Sequence, residues 1–119
     1  MSDPLERVRR SCLRMPEAFE QIAWGEPTFR VKKKIFAMYA GTGHHSPGGR
    51  VALWCNAPLG VQELLVGSEP EKFYVPPYCG VNGWIGIIVD AVDDAELDSL
   101  VVQSYCMIAP PKLSALVED

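Results

Sequence analysis

Eight basic side chains and a pair of tryptophans are the residues of this 119-residue chain whose types and spacing suggest chemistry. Arg7, Arg10 and Arg14 recur at the three- and four-residue spacing that aligns side chains along one face of a helix. Arg30, Lys32, Lys33 and Lys34 fall together in "TFRVKKK", and Arg50 stands at the head of "RVALWC". Clustered Lys and Arg neutralise phosphate without demanding fine geometry, so these eight residues mark a candidate DNA-binding surface working largely by charge. The second candidate is aromatic. Trp54 stands next to last in "RVALWC" and Trp84 opens "WIGIIVD", with Tyr78 and Asn82 in the irregular "PPYCGVNG" before it. Such a platform takes a small molecule, a peptide or nucleic-acid bases by stacking.

Other reactive types are present without the context they need. His44 and His45 are adjacent, which cannot reproduce the i, i+4 helical spacing of zinc ligands, and no Cys-x-x-Cys pair exists. Cys79 sits in a glycine-rich segment, but no base or cation is placed beside it to lower its pKa. "GTGHHSPGG" has the glycines of a phosphate cradle without the Lys-Ser/Thr and the following helix. The acidic "DAVDDAELD" is accounted for by capping and the helix dipole. The sequence therefore assigns no catalytic residue, no metal site and no cofactor.

The elements that must position the candidates follow from capping and periodicity. Asp3 followed by Pro4 starts a helix whose buried stripe is Leu5, Val8, Cys12 and Met15, and Pro16 ends it. "EQIAW", "TFRV" and "KIFAMYA" predict three consecutive antiparallel strands, "GTGHHSPGG" a loop, and "RVALWC" a fourth strand. Asn56 and Pro58 open a helix through "LGVQELLV" with Gly67 as its stop, while paired prolines keep "YVPPYCGVNG" out of a central strand position. "WIGIIVD" is the last strand. Asp93 and Glu96 form a capping box for a long helix that Pro110 and Pro111 break, leaving "KLSALVED" as a short final helix. The expectation is a single α+β domain over 1–119: a two-layer sandwich with a mostly antiparallel sheet of about five to six strands and helices on one face. Side-chain alternation then puts Ile85, Ile87, Val89 and Val51, Leu53, Cys55 against the helices, and both Trp54 and Trp84 on the opposite face.

Composition limits the function class. Hydrophobic residues make up 48% and charged residues 22%, the balance of an ordinary globular protein. No apolar run approaches the roughly 20 residues of a membrane-spanning helix, and with no hydrophobic signal region the chain reads as cytoplasmic with four reduced thiols. The net charge of −4 hides a split: residues 1–34 carry eight basic and five acidic side chains, and residues 35–119 three basic and ten acidic. Oligomeric state is not encoded in any motif.

"CLRMPEAFEQIAWGEPTFRVKKKIFAMYA" resembles the opening of the MmcQ/YjbR family, where a first helix ending in a Leu-Pro-type motif precedes an aromatic-Gly-x-x-x-Phe stretch, a hairpin and a Phe-Ala strand. "PPYCGVNGWIGIIVD" is similar to the family's Gly-x-x-x-x-Trp strand and "SYCMIAPPKLSAL" to its closing helix, so the resemblance spans about residues 5 to 117. It implies a small α+β domain likened to the frataxin-type fold and to a double-wing arrangement proposed for DNA binding. Two departures bear on that implication. Asn82-Gly83-Trp84 stands where many relatives carry Asn-Lys-x-His-Trp, and residues 41–49 hold no Lys or Arg for a wing.

Overall fold

The computed structural model describes residues 3–42 and 46–117. His44 and His45 lie outside the described residues. Helix α1 (Pro4–Leu13) begins as the capping residues dictate, with the Asp3 carboxylate accepting from the Leu5 N–H at 3.1 Å. Three strands follow: β1 (Phe19–Ala23), β2 (Glu26–Val31) and β3 (Lys34–Ala40). Then come β4 (Ala52–Cys55), α2 (Val61–Ser68), β5 (Phe73–Tyr74), β6 (Ile85–Ile88), α3 (Asp94–Ile108) and a single-turn α4 (Pro111–Ser114). The six strands form one antiparallel sheet in the order β1-β2-β3-β4-β6-β5, so the fold is α+β as the patterning requires. Among the described residues no helix is long and apolar enough to cross a membrane.

Pairing register fixes the two faces. Phe29, Ala37, Cys55 and Ile85 stand opposite one another across β2, β3, β4 and β6, and Tyr39, Leu53, Ile87 and Phe73 form the next row. Both rows belong to the main core, which α1 and α3 close with Val8, Cys12, Leu97, Val101 and Tyr105. A bulge at Phe29/Arg30 leaves Phe36 without a cross-strand partner, and it turns inward beside Ala37, its ring meeting Tyr105 edge-on at 5.3 Å. Ser104, fully buried on α3, donates its hydroxyl to the carbonyl of this bulged Phe36 at 2.6 Å. The same oxygen accepts from the Asn56 N–H at 2.9 Å. One hydroxyl thus ties α3 to β3 and to the end of β4.

Three local expectations need correction. Helix α2 starts at Val61 behind Gly60, whose φ is 87°, and Gly67 lies inside it rather than ending it. Its last N–H bond runs from Glu69 to the Leu65 carbonyl. Phe73–Tyr74, not anticipated as a strand, pairs with β6 at the sheet edge, just before the prolines that forbid extension. Trp84 precedes β6 instead of belonging to it, because pairing with β4 begins at Ile85.

Candidate functional site

The arginines of α1 are engaged by the protein itself. Arg7 donates from Nε to Asp94 Oδ1 at 2.8 Å, and from its two terminal nitrogens to the carbonyls of Val89 at 2.9 Å and Val92 at 2.8 Å. Arg10 lies 3.6 Å from Asp94 and Arg14 3.7 Å from Asp98. The charge split read from the sequence becomes a basic α1 seated against the acidic first turns of α3. Carboxylates there also suit the positive end of the helix dipole.

The remaining basic residues do not converge. Val31 pairs with Lys34, so Lys32 and Lys33 form the β2–β3 turn, and Lys32, at φ 57°, meets Glu17 at 2.9 Å. Lys33 and Lys34 are exposed. Arg30 is half-buried and donates to the Thr28 hydroxyl at 3.0 Å. Arg50 is exposed beyond the opposite end of β3, because Ala40 pairs with Ala52. That puts it on the order of 20 Å from the lysine turn, at about 3.3 Å per strand residue.

The sheet face turned away from α1 and α3 is where side chains gather. Register aligns Thr28, Met38, Trp54, Gly86 and Tyr74 in one row across β2, β3, β4, β6 and β5. A Cβ at Gly86 would come within 2.5 Å of the Tyr74 ring, so glycine is what lets that ring lie flat across β6. The Tyr74 hydroxyl then accepts from the Trp54 indole N–H at 2.7 Å, locking both rings. Over this row opens a cavity of about 810 Å³, lined also by Tyr39, Ala40, Cys79 and three rim residues, Trp24, Tyr78 and Glu26. The volume is that of a small-molecule site.

The rim is built on unusual backbone. Ala23 pairs with Glu26, leaving Trp24 and Gly25 as a two-residue turn with φ of 54° and 79°. Positive φ at both positions is the type I′ hairpin signature, for which Asn-Gly is the favoured pair. A bulky residue in the first position is strained. Tyr78 has φ 64° and ψ −65°, with the Cys79 N–H bonded to the Pro77 carbonyl at 2.7 Å. This is a γ-turn of the rarer, strained hand. Trp24 is 81% exposed and Tyr78 82%, so neither strain is offset by burial of the ring.

Of the four aromatic-platform residues read from the sequence, the cavity takes Trp54 and Tyr78. Asn82 is exposed in a 3₁₀ turn, and Trp84 is half-buried; neither lines the cavity. Gln62 on α2 donates to the carbonyls of Trp84 at 2.6 Å and Gly80 at 2.8 Å, fastening this stretch to α2. Sequence reading missed Trp24, Tyr74, Met38 and Glu26. Trp24 read only as the end of the strand "EQIAW", although its place before Gly25 between two strands was the available turn signal. Cys79 lines the cavity, but burial pushes its thiol up to about 11, the reverse of an activated nucleophile. Among the described residues no group of three or more His, Cys, Asp or Glu side chains is placed to hold a metal ion.

Comparison with known proteins bears on the fold. The family model described as YjbR matches residues 13–107. A crystal structure of a Deinococcus radiodurans protein with a DUF419 domain superposes with a TM-score of 0.75 at 18% identity, covering 94% of this chain and 85% of that one. No curated protein matches.

Proposed function

From the premise that the chain belongs to the YjbR family, we propose that it is a binding module whose site is the cavity on the open sheet face, and that the occupant is a largely apolar small molecule. The observation that carries this reading is the pairing of a locked floor with a strained rim. Trp54 and Tyr74 are held by their own hydrogen bond, while Trp24 and Tyr78 stand exposed on backbone that costs on the order of 1–3 kcal/mol each. Strain kept at two aromatic residues flanking one hollow is the pattern of a ligand clamp. Large exposed aromatic surface otherwise disfavours the free protein in water. A cytoplasmic setting, with its thiols reduced, is part of this reading.

Electrostatic DNA binding is the less supported reading. Arg7, Arg10, Arg14 and Lys32 face carboxylates within the chain, and the exposed remainder is divided between the two ends of β3. Phosphate tracking needs several free cations along one surface.

The test of the pocket is titration with Nile red, a neutral apolar dye, followed by its own emission and by tryptophan emission in a Trp84→Phe variant. Trp24 and Trp54 then report the cavity alone. Saturable binding that Trp24→Ala and Tyr78→Ala weaken supports the site; no saturable binding, or binding indifferent to both changes, overturns it.

A further inference from the structure

The cavity carries a charge preference that its apolar floor does not by itself suggest. Among the described residues Glu26 is the only charged side chain lining it. Its placement is built rather than incidental. Glu26 Oε2 accepts from two successive backbone N–H groups, Gly41 at 2.7 Å and Thr42 at 3.2 Å. Position 41 is fitted to this arrangement: a Cβ there would come within 2.5 Å of the Tyr39 ring and 3.4 Å of Glu26 Oε1. The two N–H groups engage Oε2 and fix the carboxylate beside the turn that holds Trp24. The rings of Trp24, Trp54, Tyr74 and Tyr78 line the same cavity. The face of an aromatic ring carries negative quadrupolar potential, and Trp and Tyr are the strongest neutral partners for a cation. Among the described residues no Lys or Arg lines the cavity to oppose it.

We infer that the ligand is an organic cation: a molecule with an apolar body and one delocalised or alkylated positive group, held between the aromatic rim and the Glu26 carboxylate. This deepens the reading above and rests on it. Apolar area supplies affinity for the body. The ring faces and Glu26 select the sign of the charge, because an anion of equal size meets the carboxylate and the negative ring faces.

The experiment uses two probes of nearly equal shape and opposite charge, tetraphenylphosphonium and tetraphenylborate, each competing with Nile red on the full chain. The expected result is that the cation displaces the dye at a concentration about tenfold or more below that of the anion, within the range of desolvated cation–π contacts. Glu26→Gln keeps an oxygen to accept from the Gly41 and Thr42 N–H groups and removes the charge. It should shrink the cation's advantage over the anion several-fold, and Trp24→Leu should shrink it as well. Equal displacement by both ions, or an advantage that survives Glu26→Gln and Trp24→Leu intact, overturns the charge inference while the apolar site stands. Failure of every probe, Nile red included, to bind saturably overturns both.

Discussion

The Trp54 indole N–H donates to the Tyr74 hydroxyl at 2.7 Å across a strand whose intervening residue is Gly86. Three strands thereby contribute to one contact: β4 the donor, β5 the acceptor and β6 the gap that lets the two meet. Tyr74 also closes the outer edge of the sheet, where β5 is only two residues long. The bond therefore serves the edge strand and the cavity floor together.

Replacing Tyr74 by Phe removes the acceptor and keeps the ring. A half-buried indole N–H then loses its partner, at a cost of about 1 kcal/mol in urea unfolding. The freed indole should gain mobility, read as a drop in tryptophan anisotropy and weaker Nile red binding. Unchanged stability and anisotropy would show that the bond does not organise the floor.

Gly86→Ala drives a methyl into the Tyr74 ring, which must swing off the strand. Overpacking of this kind costs about 1–3 kcal/mol. In the background of Tyr74→Ala the three ring atoms nearest that methyl are gone, so the second change should cost much less. A double-mutant cycle with additive energies would refute the contact.

Trp24→Asn places at the first turn position a residue that tolerates positive φ. Stability should rise by about 1 kcal/mol, because a strained residue is relieved and an exposed ring is lost. Nile red affinity should fall in the same variant. A rise in stability with affinity intact would separate the turn from the site.

Ser104→Ala leaves the Phe36 carbonyl and the Asn56 N–H without their shared partner in a buried position. Two orphaned groups predict a loss of about 2–4 kcal/mol in urea unfolding. A loss under about 1 kcal/mol would mean that water or a shift of α3 replaces the hydroxyl.

Alkaline pH should weaken the fold in a defined order. Burial raises the Cys79 thiol from 9.0 to about 11 and raises Cys12 and Cys55 by the same cause. A thiol that holds its proton more tightly when folded contributes stability that is complete below its unfolded pKa and is lost as pH climbs through the folded one. Unfolding midpoints should therefore fall steadily above about pH 9. Tyr39, Tyr74 and Tyr105, also raised by burial, steepen the decline from about pH 10. Cys79→Ala should flatten the first part of that slope; an unchanged profile would assign the decline to other groups.

Much of the architecture was legible because it depends on local signals. Asp3-Pro4 and Asp93 with Glu96 specify helix starts by capping chemistry that needs no tertiary partner, and alternation in "RVALWC" puts Trp54 on the open face correctly. The site was legible only in part, because it is assembled by register. Met38 and Trp54 become neighbours through pairing, which sequence leaves unspecified until the bulge at Phe36 is known. Tyr74 was hidden by the prolines that follow it. Pairing of Arg7 with Asp94 joins residues 87 apart, a relation no local pattern encodes.

That separation has a consequence for how the chain is made. At ribosomal rates of roughly 5–20 residues per second, α1 leaves the tunnel about 4–17 seconds before the carboxylate that Arg7 grips. During that interval Val8, Cys12 and Met15 lack the Leu97, Val101 and Tyr105 side of the core they enter. The Asp3 cap and the Glu6–Arg9 pair, both local to α1, bias the nascent segment toward helix while it waits. Closing this side of the core then waits on α3, which captures a helix made 87 residues earlier.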